Sequence, residues 1–195
     1  MIQLNTNINI ILGSKSPRRI ELLNLMGLKF QVRQLNIDET YPKSLSPIQT
    51  ALFLSKKKAH SYNIENNELL ICADTIVYIK NLILGKPKTK NEAKHMLQTL
   101  SNKRHYVVTG VTMKTITKEL SFYERSMVDF KQLDLQEIKF YIQNYNPLDK
   151  AGGYGVQDWL GLVGVNKISG SFYNIMGLPT LKVYENLHKL IDFKK

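Results

Sequence analysis

The chain lacks the features that mark a membrane-spanning, secreted or disulfide-stabilised protein. Its 195 residues include one cysteine, Cys72, so no internal disulfide can form. No apolar run approaches the roughly 20 residues that a bilayer-spanning helix needs. The N-terminus, "MIQLNTNINIIL", has neither a basic segment nor a small-residue cleavage site, and we expect no signal peptide. These absences predict a protein of the reducing cytoplasm.

Acidic residues are scarce relative to basic ones, at 16 Asp and Glu against 27 Lys and Arg, which gives a formal net charge of +11. A basic chain attracts polyanions, whether nucleic acid, an anionic membrane or a small phosphorylated metabolite. The one dense basic run, "SKKKAH" at 55–60, lies within a helical pattern. Solvated lysine-rich faces are therefore favoured over a nucleic-acid-binding patch. The four histidines have no paired spacing, which argues against zinc.

Hydrophobic residues make up 43% of the chain and charged residues 22%, as in an ordinary globular protein. Strands alternate with helices, and one hairpin is inserted, so we expect a single α/β domain over 1–195. Its mixed twisted sheet would carry helices on its faces, and loops at the strand ends would line a cleft. The predicted strands are 8–12, 29–36, 69–79, 82–84, 105–116, 119–131 and 162–168, and the predicted helices are 17–26, 47–61, 91–100, 134–144 and 179–192.

The stretch "IILGSKSPRR" predicts a buried strand, a turn and a helix with Arg18 and Arg19 in its first turn. Cations there are unfavourable by a few tenths to about 1 kcal/mol each, because the helix N-terminus is effectively positive. One explanation is a bound phosphate, held by free N–H groups, by the arginines and by the hydroxyls of Ser14 and Ser16. The other is an ordinary capped helix whose arginines extend into water. These residues alone favour neither explanation over the other.

Two carboxylates are candidates for metal binding or proton transfer. Asp74 interrupts the apolar strand "ICADTIVYI", where a carboxylate must be paired, hydrogen-bonded or bound to a metal. Thr75 beside it adds a second polar group, which favours a functional role over a structural ion pair. Glu39, in "IDET", is a second carboxylate, although such a stretch is more often a solvated loop. Two carboxylates plus phosphate oxygens are the usual way to hold Mg²⁺.

Two further segments carry polar side chains, one in a proline-containing turn and the other in a glycine-rich loop. Lys86 lies in a Gly-Lys-Pro turn just before a capped helix, where its ammonium either meets a ligand or is simply solvated. The segment "LDKAGGYGVQ" places Asp149, Lys150 and Gln157 around three glycines. An amide such as Gln157 offers both an acceptor and donors, which suits the edge of a base. A glycine-rich loop without a ligand is the less favoured alternative.

Taken together, these segments resemble the Maf family of nucleoside triphosphate pyrophosphatases. "LGSKSPRR" is similar to the family's Leu-Ala-Ser-x-Ser-Pro-Arg-Arg signature, and "DET", "ADT", "LGKPKT" and "PLDKAGGYGVQ" follow in the family's order. The resemblance implies a fold related to inosine triphosphate pyrophosphatases, in which a deep cleft separates two lobes. It also implies hydrolysis between the α and β phosphates that depends on Mg²⁺ or Mn²⁺ and releases pyrophosphate.

The resemblance also implies roles for individual residues. It implies Asp74 as proton acceptor, and we expect Asp74 and Glu39 to hold the divalent ion. It implies Arg19, Thr75 and Gln157 as specificity residues, a set that resembles the branch acting on dTTP and UTP. The sister branch, which prefers 7-methyl-GTP, is the alternative within the family. The positions expected to bind phosphate are Ser14, Arg18, Lys58, Lys86 and Lys150.

The expected partner is a small nucleotide, with no specific nucleic acid and no membrane, and a homodimer is common in the family. A non-catalytic septum-formation regulator that binds nucleic acid is the rival from another class, but no helix-turn-helix, zinc finger or aromatic platform is present in the sequence. The chain departs from the family pattern at Gly13, which replaces an alanine, and after Gln157. There, Asp158 and Trp159 replace a glycine-containing run and bear on fine substrate preference.

Overall fold

The computed structural model describes residues 8–191, which form seven strands, seven α-helices and one 3₁₀ turn. The strands are β1 (Asn9–Leu12), β2 (Phe30–Val32), β3 (Glu68–Ile79), β4 (Leu82–Leu84), β5 (Arg104–Lys114), β6 (Glu119–Phe130) and β7 (Val165–Ser169). The helices are α1 (Pro17–Leu25), α2 (Pro47–His60), α3 (Lys90–Leu100), α4 (Leu135–Asn144), α5 (Trp159–Gly164), α6 (Phe172–Met176) and α7 (Thr180–Leu190), and the 3₁₀ turn is Ala151–Gly153. None of the described helices is long and apolar enough to cross a membrane.

The strands form one mixed sheet in the order β2-β1-β3-β5-β6-β7, with β4 paired to β3. β1 runs parallel to both β2 and β3, whereas β4 is antiparallel to β3 and β7 is antiparallel to β6. The hairpin between β5 and β6 turns where predicted, since the N–H of Thr115 donates to the carbonyl of Lys118 at 2.8 Å. The predicted mixed α/β fold is confirmed.

Local sequence signals set several helix starts. At the start of α2, Ser46 Oγ accepts from the N–H of Gln49 at 3.3 Å, and Gln49 Oε1 accepts from the N–H of Ser46 at 2.9 Å. Asp134 and Glu137 form the same reciprocal capping box at α4. Ser16 occupies the N-cap position of α1, but its side chain makes no capping hydrogen bond. The first turn of α1 is therefore not capped by this hydroxyl.

The chain forms two compact units. The described residues of the first unit fall within Met1–Asp74, Thr109–Glu124 and Gly177–Lys195. Its core includes Ile11, Leu70 and the fully buried Cys72. Burial raises the pKa of the Cys72 thiol to about 12, so the thiol stays protonated and packs as a small core side chain.

The second unit consists of Thr75–Val108 and Arg125–Met176. In it, α3 packs against α4 and against the 3₁₀ turn. A cluster of rings forms part of its core, in which Tyr154 lies edge-on to Phe130 and to His105. His105 Nε2 and the hydroxyl of Tyr154 are 2.7 Å apart.

Two predicted strands are corrected by the structure. The strand expected over 29–36 is limited to Phe30–Val32, because its partner β1 ends at Leu12, opposite Val32. The strand expected over 162–168 begins at Val165, after α5. The apolar run "WLGLVGV" is too short for its periodicity to separate helix from strand. Helix α6 was not predicted, and residue 192 of the last predicted helix lies outside the described residues.

Candidate active site

In the first unit, the loop after β1 is tied to α1 by the hydroxyl of Ser14. Ser14 Oγ accepts hydrogen bonds from the backbone N–H of Ser16 and from Nη1 of Arg19, both at 3.2 Å. At the start of the loop, the N–H of Gly13 donates to the carbonyl of Ile71 in β3 at 2.9 Å. The loop singled out in the sequence is therefore an ordered strand-to-helix connection.

Arg19 does not extend into water, as one of the two explanations for its position required. It is buried, and its Nε donates to the carbonyl of Gly177 at 2.9 Å. Burial lowers the pKa of Arg19 below its usual 12.5, while the negative charges of Asp74 and Glu39 oppose that effect and Arg18 adds to it. Since arginine stays protonated in proteins, Arg19 is a buried cation near two carboxylates.

Lys58 links the two predicted carboxylates. Its Nζ lies 2.5 Å from Oδ1 of Asp74 and 2.8 Å from Oε1 of Glu39. The side chains of Lys58 and Asp74 are 11% and 12% exposed, and that of Glu39 is 51% exposed. The ion pair that the sequence left open for Asp74 is present. It brings together three predicted site residues, which come from α2, from β3 and from the loop between β2 and α2.

The loop that carries Glu39 is anchored at Thr40. The carboxylate of Asp38 accepts from the hydroxyl of Thr40 and, at 3.0 Å, from its backbone N–H. These hydrogen bonds hold the pKa of Asp38 below its usual value. Lys57 Nζ donates to the carbonyl of Thr40 at 3.1 Å. Because Lys57 and Lys58 are adjacent on α2, one end of this helix holds both the loop and the carboxylate of Glu39.

The donor set of Glu39 and Asp74 fits a divalent cation. The two carboxylates already converge on one positive charge, the ammonium of Lys58. Among residues 8–191, no group of three or more His, Cys, Asp or Glu side chains could hold a metal ion. Mg²⁺ is commonly held by one or two carboxylates together with waters and substrate phosphates. The residues therefore suit an ion that takes most of its ligands from water and substrate.

The other predicted residues belong to the second unit. Thr75 is half-buried in β3, and Lys86 is exposed between β4 and α3. The backbone before Lys86 is tied to the glycine-rich segment, because the carbonyl of Gly85 accepts from the N–H of Gly152 at 3.0 Å. The Lys86 turn is thus held in place while its side chain faces solvent.

Lys150 is buried among oxygen atoms of the second unit. Its Nζ lies 2.9 Å from Oδ1 of Asp149 and 3.5 Å from Oδ2 of Asp158, and it donates to the carbonyl of Asn146. An ammonium has three donors, and three oxygens surround this one. Its role in phosphate binding stays a prediction.

Gln157 lies in a tight turn over 155–158, which is closed by the N–H of Asp158 donating to the carbonyl of Gly155 at 3.1 Å. Oε1 of Gln157 is buried and accepts no hydrogen bond from any residue in 8–191. A buried acceptor without a partner is uncommon, and leaving one unsatisfied costs about 1–3 kcal/mol. The amide is therefore a group that an N–H donor of a ligand would complete.

The sequence did not single out Tyr141, although the 155–158 turn rests on it. Its hydroxyl donates to Oδ2 of Asp158 at 2.8 Å and accepts from the N–H of Gly155 at 3.0 Å. Trp159 packs against Phe140, with ring centroids 4.7 Å apart. Both departures from the family pattern after Gln157 thus contact α4. In the sequence, a tyrosine on an apolar helix face indicates only a core position.

The chain is similar in sequence to known proteins of one family. The sequence pattern of the family described as "Maf-like protein" matches residues 9–190. A dTTP/UTP pyrophosphatase of Bacteroides thetaiotaomicron is 48% identical over 184 residues, which are 93% of this chain and 95% of that protein. A dTTP/UTP pyrophosphatase of Cytophaga hutchinsonii is 46% identical over 187 residues, 95% of this chain and 86% of that protein. The solved structure of a nucleoside-triphosphatase, dITP/XTP pyrophosphatase, from Mycobacterium abscessus aligns with a TM-score of 0.46 at 12% identity, covering 95% of this chain and 100% of that one.

Proposed function

Because the chain belongs to the Maf-like protein family, we propose that it is a nucleoside triphosphate pyrophosphatase that hydrolyses dTTP and UTP. Relatives that are 45–48% identical to it carry that activity as their name. The bond broken is the α–β phosphoanhydride, and the products are a nucleoside monophosphate and pyrophosphate. Modified pyrimidine nucleotides belong to the same substrate class. Since the family match spans 9–190, we treat 1–195 as one Maf-like domain.

The convergence of Asp74 and Glu39 on Lys58 is the observation that carries this proposal. Hydrolysis of a phosphoanhydride needs a base for the attacking water and positive charge for the phosphate oxygens. Asp74 is a mostly buried carboxylate suited to the first task, and Lys58 is a mostly buried ammonium suited to the second. Arg18 and Arg19, at the start of α1, add positive charge in the same unit.

In the proposed reaction, Asp74 accepts a proton as the water oxygen bonds to the α-phosphorus. The electron pair of the broken P–O bond leaves with pyrophosphate. Because phosphoryl transfer depends mainly on positioning and charge stabilisation, the cations matter as much as the base. The cations and hydroxyl assigned to the phosphates are Ser14, Arg18, Lys58, Lys86 and Lys150.

Glu39 and Asp74 are the residues that would hold Mg²⁺ or Mn²⁺. A bound divalent ion supplies Lewis acidity toward phosphate oxygens and makes coordinated water more acidic. Lys58 holds the two carboxylates side by side through its contacts of 2.8 and 2.5 Å.

Arg19, Thr75 and Gln157 are proposed to select the base. Uracil and thymine present an N3–H donor next to the O4 acceptor, whereas cytosine presents an acceptor at N3 and an amino group at N4. The buried Oε1 of Gln157 suits the N3–H donor, and the last side-chain torsion of glutamine is broad enough to turn the amide toward it. Cytosine would leave polar groups unpaired, which is costly in a desolvated site.

A substrate panel tests the proposal. Purified protein with Mg²⁺ or Mn²⁺ is assayed for pyrophosphate release from UTP, dTTP, CTP and 7-methyl-GTP. We expect kcat/KM for UTP and dTTP to exceed that for CTP by about tenfold or more. Gln157→Leu should reduce this preference, whereas Gln143→Leu, at an exposed position of α4, should not.

Two results would contradict the proposal. A preference for 7-methyl-GTP would place the chain in the sister branch. Absence of hydrolysis, together with site-specific DNA binding that persists at physiological salt, would favour a regulator. Weak retention on DNA that is lost at moderate salt would report only the net charge of +11.

The setting of this activity is also part of the proposal. A single buried cysteine and a nucleotide substrate fit the cytoplasm. We expect a homodimer, which sedimentation or light scattering of the purified protein would measure.

A further inference from the structure

We propose that Tyr141 and Asp158 form a clamp that positions Gln157 for base selection. The clamp is the pair of hydrogen bonds by which the Tyr141 hydroxyl holds both ends of the 155–158 turn. The inference rests on the proposed pyrimidine specificity and deepens it, because it assigns positioning roles to two residues that do not themselves contact the nucleotide.

A side chain of α4 holds the 155–158 turn at both ends. Tyr141 is fully buried in α4, so its hydroxyl has few alternative positions. It donates to Oδ2 of Asp158 at 2.8 Å and accepts from the N–H of Gly155 at 3.0 Å, so one oxygen connects the first and last residues of the turn. Gln157 lies between these two attachments, and its backbone is therefore constrained on both sides.

The turn is also packed too tightly to shift freely. A Cβ added at Gly155 would lie 2.6 Å from Oδ2 of Asp158, and one added at Gly161 would lie 1.8 Å from the carbonyl oxygen of Val156. The N–H of Gly161 donates to the carbonyl of Asp158 at 2.9 Å, which joins the turn to the first turn of α5. Backbone and side-chain contacts thus hold the same four residues.

The carboxylate of Asp158 is paired with other groups of the protein. Its Oδ2 accepts from Tyr141 and lies 3.5 Å from Nζ of Lys150. A carboxylate whose side chain is only 16% exposed must be paired, and both partners come from the second unit. Asp158 therefore faces α4 and Lys150, and it acts on specificity only through the turn.

Base selection is sensitive to such positioning. In the proposed site, discrimination between uracil and cytosine depends on where the side-chain amide of Gln157 lies, and small displacements weaken a hydrogen bond steeply. Loosening the turn should therefore reduce the preference for UTP over CTP more than it reduces turnover. A purely structural role would lower both activities in proportion.

The test compares kcat/KM for UTP and CTP in Tyr141→Phe and in the wild type. We expect the UTP-to-CTP ratio to fall about tenfold, with kcat/KM for CTP changed less than threefold. Tyr145→Phe is the matched control. The rings of Tyr145 and Tyr141 stack with centroids 5.2 Å apart, but the structure shows no hydrogen bond from the Tyr145 hydroxyl to the 155–158 turn. It should keep the wild-type ratio.

Asp158 provides an independent pair of variants. Asp158→Ala should lower the ratio as Tyr141→Phe does, whereas Asp158→Asn keeps an acceptor for the Tyr141 hydroxyl and should recover most of it. If Tyr141→Phe does not fold, as judged by circular dichroism, the comparison of Asp158→Ala with Asp158→Asn tests the clamp in its place.

A wild-type ratio in the folded variants, or an equal fall in activity on UTP and CTP, overturns the clamp and leaves the pyrophosphatase assignment intact. A wild-type protein that does not prefer UTP contradicts the proposed function itself, so the two failures are distinguishable.

Discussion

The two units hold their candidate residues by different means. In the first unit, charges neutralise one another, as Lys58 does with Asp74 and Glu39. In the second, Gln157 is carried on a turn fixed by a tyrosine hydroxyl. Charge attracts the polyphosphate that all nucleoside triphosphates share, whereas a fixed amide distinguishes bases. We therefore expect variants of Lys58, Asp74 and Glu39 to slow hydrolysis of every nucleotide alike, and variants around Gln157 to change the choice among them.

The largest effect is expected from Asp74→Asn. An amide cannot accept the proton of the attacking water and is a poor ligand for a divalent ion, so kcat should fall about a thousandfold on UTP and dTTP. Pyrophosphate release measures this. The matched control is Asp38→Asn, on the exposed carboxylate beside Glu39, which should retain most activity. Near-wild-type turnover in Asp74→Asn would remove Asp74 from the chemistry.

The second effect concerns the stability of the first unit. Lys58→Met leaves the carboxylates of Asp74 and Glu39 without their shared cation, and we expect a loss of about 3–5 kcal/mol. Added Mg²⁺ should raise the Tm of this variant more than that of the wild type, because the ion would then balance both charges. Lys57→Met, one residue earlier on α2, is the control. Equal Mg²⁺ responses in both variants would argue against a metal site at these carboxylates.

The third effect concerns a buried histidine of the second unit, His105. Burial lowers the pKa of His105 to about 4, against 6.5 when exposed. The unfolded chain therefore binds the proton first as pH falls, and stability decreases from about pH 6.5 to about pH 4, by roughly 3 kcal/mol from this group. Urea unfolding across this range should show a flatter profile in His105→Gln. The exposed His95→Gln should keep the wild-type slope, and an unchanged slope in both would contradict the assignment.

The smallest effect is expected at the loop after β1. A Cβ at Gly13 would lie 2.5 Å from Sγ of Cys72 and 2.7 Å from Cδ1 of Leu35. Gly13→Ala should therefore cost about 2 kcal/mol, seen as a lower Tm, and adding Cys72→Ala should restore part of it. Gly85→Ala, whose Cβ would meet no atom within 4 Å, is the control. A stable Gly13→Ala would show that the loop can move.

Local signals were the most predictable part of the fold. The helix over 134–144 and the short strand Leu82–Leu84 were predicted correctly because their signals lie within a few residues of each other. The start of the strand predicted over 162–168 was wrong and α5 was not predicted, since an apolar run of seven residues does not determine its own conformation. Neighbouring strands and helices decide that outcome.

By itself, the sequence determined the family, the mixed α/β fold class and the identities of the candidate residues, because order and spacing of motifs are written along the chain. Only the tertiary structure decided their partners. Lys58 is 16 residues from Asp74, and Tyr141 is 17 residues from Asp158. Such pairs form because burial removes water from charged and polar groups, which must then bind a complementary atom of the protein. Packing decides which atom lies close enough, and position along the chain does not.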